Sequence, residues 1–514
     1  MKTLKYDLCK PLNEVKNVTS TVCIWDYRSF LHDGPFGRLQ PGTLKKRCPF
    51  LEYAILMTLT GGAGRGEFVQ ADENGLLVYD FAPAVEAIQN TIKQGLKPII
   101  VIGNVPNALS GKQVGKYDSY EWGNRLAPDD FDEYYDYILA FAKCLKANFP
   151  VGEIKKWSFR VGTEPDNEHW WTSGEETYMK LYDYTVSALQ EGIGKENLTV
   201  FSGNLSMFEK FDDFYRHTES GVNFKTHETG TQNDRLSISH YNDCDPASPC
   251  EYYDLRNILY LVKKKMNNLA PKSLKGLNIG EGQFILDGQK PSFRLAMAQD
   301  ASAYSASWTA HMCDALNEYG VEYFANWSYL ADWFRTDLEP LPIPAWFPAK
   351  FMSEMAGGKR IAAENFELNK TGNTVGGLMA RAEDGTVRLM LYNHNITREN
   401  TSEEVEIEIL GLDKEKEYTA HAEEISEETC FFKSWMDLSG DIPRITKDVD
   451  IATVGSVYDS DILSLLSGEG KEKWLSARAE YARLPQTKEY KLPVRDGKMH
   501  INMPGHSAVM ITIR

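Results

Sequence analysis

The sequence predicts an α/β protein, a (β/α)8 TIM barrel with an appended antiparallel β-sandwich. Three observations carry that prediction. Between about residues 50 and 350, short apolar runs alternate with polar breaks and helix-patterned stretches. After about residue 355 the pattern changes to alternating, strand-like segments joined by turn residues. The chain has 514 residues, too many for one ordinary domain but suited to a large barrel and a smaller module.

The apolar runs come in order at 21–25, 53–57, 98–102, 157–161, 198–201, 236–239, 277–279 and 323–327, eight in all. Helical patterns such as 81–92 and 134–145 fall between them. Near-continuous apolar strands separated by helices indicate parallel strands covered on both faces. Eight βα units make a barrel, and about 300 residues is a fair size for one with loop insertions. A doubly wound open sheet is the competing architecture, but no Gly-x-Gly-x-x-Gly turn follows the first strand. We assign residues 15–355 to the barrel and 356–514 to the sandwich, with 1–14 able to add a strand. In the second unit, 375–381 and 387–392 flank an Asp384-Gly385 turn and read as a hairpin. Residues 404–410 alternate strictly, and 499–503 and 508–513 are strand-like. The more polar, partly helical stretch 422–482 reads as an insertion.

Composition narrows the function. With 56 Lys+Arg against 73 Asp+Glu the net charge is −17, a surface that repels phosphate backbones and anionic lipid. Nucleic acid and membrane are therefore not expected as partners. Aromatic residues reach 12%, with 11 Trp and 26 Tyr, which suits stacking on sugar rings and suits a large aromatic core equally well. The first residues lack an apolar targeting core, and no run approaches the ~18 apolar residues of a membrane span. The eight cysteines are scattered, without C-x-x-C or a partner His at ligand spacing, so free thiols in a reducing, cytoplasmic setting are expected. Cys244 and Cys250 are the pair that could bridge in an exported protein. No metal and no cofactor are expected. A homo-oligomer is compatible with the sequence.

In a barrel of this kind the functional groups stand at the C-terminal ends of the strands. The fourth strand runs into Val161-Gly-Thr163-Glu164-Pro-Asp-Asn167-Glu168, and the seventh into Ile279-Gly-Glu281. The two carboxylates are 117 residues apart, or 39 for each of three βα units. A minimal barrel needs about 31 per unit, so three units with inserted loops fit. Paired carboxylates are the equipment for glycoside hydrolysis: one protonates the leaving oxygen while the other attacks the anomeric carbon. Burial and mutual repulsion would raise one pKa and leave the other group ionised. Glu168 follows Asn167 and is an alternative acid, although it lies four residues beyond Glu164. No Gly-x-Ser-x-Gly elbow supports a Ser/His/Asp triad.

At these positions the sequence resembles glycoside hydrolase family 39, the family of β-xylosidases and α-L-iduronidase. The likeness covers most of the chain. It is carried by Gly95 to Ser110, by Trp157 to Trp171 followed by Tyr178-Met-Lys-Leu-Tyr182, by Ser239-His240-Tyr241, and by Asn326-Trp327-Ser-Tyr with Asp332-Trp-Phe334. The resemblance implies a retaining barrel enzyme without a metal, with Glu164 as general acid/base and Glu281 as nucleophile. Thr163, Asn167, His240, Tyr241, Trp327, Asp332 and Asn104 become candidate substrate contacts, although Asn104 could equally shape its turn. Two departures stand out. The family has Asn immediately before the acid/base, where this chain has Thr163. Its second strand ends in His-Gly, where this chain has Thr58-Leu-Thr-Gly-Gly. The expected function is a retaining exo-glycosidase acting on short oligosaccharides or glycosides. A carbohydrate-binding protein with impaired catalysis and a transglycosylase are the alternatives.

Overall fold

A computed structural model describes the chain except residues 25, 63–67, 111–122, 244–254, 286–301, 327–341, 369–372, 396–400, 414–415, 417, 431–471, 473–474, 477–478 and 481. The first strand, β1 (Lys2–Asp7), belongs to the sandwich. The barrel begins with β2 (Thr21–Ile24) and β3 (Tyr53–Leu56), followed by a separate hairpin, β4 (Val69–Ala71) with β5 (Leu77–Tyr79). It continues through β6 (Lys97–Ile102), β7 (Ser158–Val161), β8 (Val200–Ser202), β9 (Arg235–Asp243), β10 (Gly276–Ile285) and β11 (Phe324–Asn326). Eight of these strands pair in the order β8-β7-β6-β3-β2-β11-β10-β9. Leu205 closes the ring: its N–H donates to the Ser237 carbonyl and its own carbonyl accepts from Ser239 N–H. The fold is thus the eight-stranded parallel barrel that the apolar runs predict.

Strand alternation explains why the sequence closes this way. Cys23, Ile55, Met57, Ile99, Val101, Phe201, Tyr323 and Ala325 form one buried cluster that fills the lumen. Their neighbours Val22, Ile24, Ala54, Leu56, Ile100, Ile102, Phe159 and Val161 join the core beneath the helices. Side chains of opposite parity thereby fill the interior and seat the outer layer. On β7 this parity sends Arg160 inward.

The helix Phe131–Asn148 shows the outer layer's logic. Asp130 caps it by accepting from the backbone N–H groups of Asp132 and Glu133, whose acids also suit the positive helix start. Its face of Tyr134, Tyr137, Ile138, Phe141, Ala142 and Leu145 is buried, and it packs on the helix Glu175–Ile193. Gly192 permits that approach, since a Cβ there would lie 2.5 Å from the Ala142 Cβ.

The remaining strands are β12 (Lys359–Ile361), β13 (Thr374–Arg381), β14 (Val387–His394), β15 (Glu403–Leu410), β16 (Tyr418–Ile425), β17 (Lys488–Val494), β18 (Lys498–Met503) and β19 (Ser507–Ile513). They form a six-stranded sheet, β12-β13-β14-β19-β16-β17, facing a three-stranded sheet, β1-β15-β18. On β14, Leu389 and Leu391 enter the sandwich core, while Met390 and Tyr392 join the barrel core. A buried ionic group joins the two units: Asp314 accepts from Arg256 at 2.8 Å and from the Tyr392 hydroxyl at 2.9 Å. Strand β16 runs to Ile425, so the stretch read as an insertion starts inside a sandwich strand. Residues 431–471 of it lie outside the described residues.

Candidate active site

The loop after β7 carries the first carboxylate. Gly162 has φ +77° and Glu164 φ +39°, so the chain turns sharply at the barrel mouth. A left-handed conformation at a residue with a Cβ costs about 1–2 kcal/mol and persists only where its surroundings enforce it. Here they do. The Asp166 carboxylate accepts from Ser206 N–H, the Ser206 hydroxyl and Met207 N–H, tying the loop to the segment after β8. The Glu164 carbonyl accepts from Asn167 N–H. Glu164 is 8% exposed; Ser239 donates to its Oε1 at 2.5 Å and the Asn167 amide to its Oε2 at 2.9 Å.

The second carboxylate depends on a bulge. Ile279 lies opposite Ile238, but Glu281 lies opposite Ser239, leaving Gly280 as an extra residue in β10. Simple alternation from Leu277 and Ile279, which face the helices, would turn Glu281 outward too. One inserted residue reverses the parity and aims it into the barrel. Gly280 is required there, because a Cβ would lie 2.5 Å from Ser237 Oγ and 3.1 Å from Arg160 Nη1. Glu281 is 5% exposed, and its Oε1 accepts from the Tyr241 hydroxyl at 2.5 Å. Its Oε2 accepts no hydrogen bond among the described residues. Asn204 donates to Ser239 at 2.6 Å, linking the surroundings of both carboxylates.

Their electrostatics differ. Burial first, then the charge of Glu281, pushes Glu164 up to about 7, against the lowering effect of Ser239 and Asn167. Burial also raises Glu281, but the Tyr241 hydrogen bond, the Arg160 charge and the nearby Asn204 amide oppose it. These neighbours favour the proton on Glu164 and the charge on Glu281.

Thr163 is buried, and its hydroxyl accepts from Arg160 Nη2 at 2.9 Å. Asn104 donates to the Asn124 carbonyl at 2.8 Å and thus shapes the turn after β6. With Thr163, Trp170 and Trp171 it lines a cavity of about 30 Å³, room for about one water. Asn167 braces Glu164, and Tyr241 braces Glu281. His240 has the opposite strand parity from Tyr241 and is buried, which lowers its pKa to about 4 and keeps it neutral near pH 7. Glu168 is exposed, apart from the buried pair. Trp327 and Asp332 lie outside the described residues. At the end of the second strand, Thr60 Oγ1 accepts from Gly103 N–H at 2.9 Å.

Sequence reasoning passed over Arg160, Ser239, Asn204 and Asp166. A charged residue at an inward position of an apolar strand was a signal for Arg160, and the Leu236-Ser-Ile-Ser239 alternation was one for Ser239. Nothing local marks Asn204 or Asp166. Among the described residues no group of three His, Cys, Asp or Glu could hold a metal ion, and no helix is long and apolar enough to cross a membrane.

Fold and site together define a (β/α)8 barrel with a paired-carboxylate centre at its C-terminal mouth. Residues 67–259 match the model for glycosyl hydrolases family 39. A β-xylosidase of Caldicellulosiruptor saccharolyticus is 29% identical over 123 residues, 23% of this chain and 24% of the relative. One of Geobacillus stearothermophilus is 26% identical over 114 residues, 22% of each chain. The matched stretches thus span about a quarter of these curated relatives. Among solved structures, a monomeric β-xylosidase of Caulobacter crescentus CB15 superposes with a TM-score of 0.69 at 17% identity, covering 100% of this chain and 99% of that one. The family 39 enzyme from Xanthomonas axonopodis pv. citri gives 0.68 at 15%, covering 100% and 97%. These structures share the fold along the whole chain. The likeness to glycosyl hydrolases family 39 is thus carried in sequence by residues 67–259, and the likeness of fold runs the length of the chain.

Proposed function

We propose that the protein is a retaining, exo-acting glycoside hydrolase that removes a terminal sugar from short oligosaccharides or glycosides. The observation that carries this reading is the pair of buried carboxyls at the barrel mouth, Glu164 held by Ser239 and Asn167 and Glu281 by Tyr241, with burial and the charge of Glu281 pushing Glu164 up to about 7. Glu164 protonates the glycosidic oxygen as Glu281 attacks the anomeric carbon through Oε2, which accepts no hydrogen bond among the described residues. The bond to the leaving alcohol breaks and a glycosyl ester of Glu281 forms. Esterification removes the charge that helps raise Glu164, so its pKa falls and it becomes a base. It then deprotonates a water that attacks the same carbon, releasing the sugar with its configuration retained and restoring both carboxyl groups.

The names of the similar β-xylosidases support a small glycone such as a pentose. Cys23, Cys48, Cys313 and Cys430 are buried as free thiols, which supports action in the cytoplasm on sugars taken up as short pieces.

The test is a panel of aryl glycosides (xylose, both ring forms of arabinose, galactose, glucose, fucose and uronic acids) run on wild type and Glu281→Ala. One glycone should be turned over with retention by wild type, and the variant should lose that activity by about three orders of magnitude or more. Activity that survives Glu281→Ala defeats the assignment. Silence across the panel from folded protein favours a binding role. Transfer to added alcohols that outruns hydrolysis marks a transglycosylase.

A further inference from the structure

Arg160 is wholly buried in the barrel lumen, yet none of its described hydrogen bonds goes to a carboxylate. Nη1 donates to the Gly280 carbonyl at 3.1 Å, and Nη2 to the Thr163 hydroxyl at 2.9 Å and to Met57 Sδ at 2.8 Å. These three partners come from the bulge of β10, the loop after β7 and the end of β3. Two lie next to the paired carboxylates in sequence: Gly280 precedes Glu281, and Thr163 precedes Glu164. A cation removed from water needs an opposite charge within reach. Arg160 acts on Glu281 through its field, opposing the effect of burial there.

The other titratable groups acting on this region are Glu164 from the loop after β7, Tyr241 from β9, Cys23 from β2 and Tyr323 just before β11. Tyr241, Cys23 and Tyr323 are all held in their neutral forms by burial. With Glu164 protonated, Arg160 and Glu281 are opposed charges in the lumen among the described residues.

We infer that Arg160 is a positioning residue of this site: its guanidinium, fixed by Gly280, Thr163 and Met57, is the counter-cation that keeps Glu281 charged and aimed. The fork shape matters as well as the charge. One planar group holds the carbonyl of the bulge and the hydroxyl before the acid at the same time, so it sets the two carboxylate-bearing segments against each other. The inference rests on the glycosidase reading for its catalytic meaning, but its physical content is independent of turnover.

The test uses Arg160→Met and Arg160→Lys in the full chain. The carboxyl carbons of 13C-labelled glutamate are titrated by NMR, with Glu281→Gln assigning the signal, alongside the acid limb of kcat/KM. In Arg160→Met the Glu281 midpoint should rise by about one pH unit or more. The acid limb should move with it, and kcat should fall about 100-fold with KM little changed. Arg160→Lys should keep the midpoint near that of wild type yet lose kcat about tenfold, for want of the fork. An unmoved Glu281 midpoint in Arg160→Met overturns the inference and leaves Arg160 a packing residue. Should that variant not fold, Arg160→Lys decides, because a midpoint displaced by about one pH unit despite the retained charge overturns it equally. A normal titration response with no glycoside turned over by wild type sinks the glycosidase reading and spares this one. Turnover that depends on Glu281, with an unmoved midpoint, does the reverse.

Discussion

Replacing Glu164 by Gln should stabilise the protein above pH 7 while abolishing the proposed glycosidase activity. The carboxyl is 8% exposed and its pKa is pushed from 4.5 up to about 7, chiefly by burial and secondly by the charge of Glu281. A group raised in the folded state favours folding at low pH, where both states hold the proton. That advantage is lost progressively as pH rises from the unfolded value through the folded one, here from about 4.5 to about 7. A tenfold difference in proton affinity between the two states is worth about 1.36 kcal/mol, so wild type gives up about 3 kcal/mol across that window. Gln is nearly isosteric, can still meet Ser239 and Asn167, and has no proton to lose. Relative to wild type, Glu164→Gln should therefore gain about 3 kcal/mol between pH 4 and pH 8. With an unfolding entropy of about 2.1 cal/mol/K per residue, that is about 3 °C in Tm for a chain of this length unfolding as a whole. Thermal unfolding of both proteins at closely spaced pH values reads the difference directly. Parallel Tm curves from pH 4 to pH 8 would refute the placement of a protonated Glu164 in the site.

Two further changes probe the second carboxylate. Tyr241→Phe removes the hydroxyl that donates to Glu281 Oε1, so the acid limb of kcat/KM should rise and kcat fall about 10- to 100-fold; an unmoved limb in a pH–rate series contradicts this. Gly280→Ala drives a Cβ to 2.5 Å from Ser237 Oγ, so activity and Tm should both fall, and adding Ser237→Ala should recover part of each. If the double variant melts no higher than Gly280→Ala alone, the glycine is not there to make room for Ser237.

Much of the barrel was legible because the apolar runs that define it are buried on both faces, and burial writes itself into local composition. The short core of each strand was readable, but strand ends were not. Glu281, expected just past the seventh strand, lies inside β10, which runs on to Ile285 because Tyr241 and its neighbours on β9 extend the pairing. The hairpin Val69–Ala71 with Leu77–Tyr79 went unread, since its short strands carry little apolar signal. In the sandwich, β14 and β19 read as strands because both of their faces are covered, one by the second sheet and the other by the barrel.

What the sequence determined alone is the inventory: eight apolar runs, a change of pattern near residue 355, and carboxylates after the fourth and seventh runs. These are local properties, set by the period of a strand or helix and by residue type. What only the tertiary structure decided is direction and charge. Alternation alone turns Glu281 toward the helices, and a bulge seen in the pairing of β10 with both β9 and β11 turns it inward. Arg160, Glu164, Asn204, Ser239 and Glu281 stand on β7 to β10 or in the loops between them, and only closure of the ring brings them together. Which carboxyl keeps its proton follows from that assembly, because desolvation and the field of a neighbouring charge act through space and leave no mark along the chain.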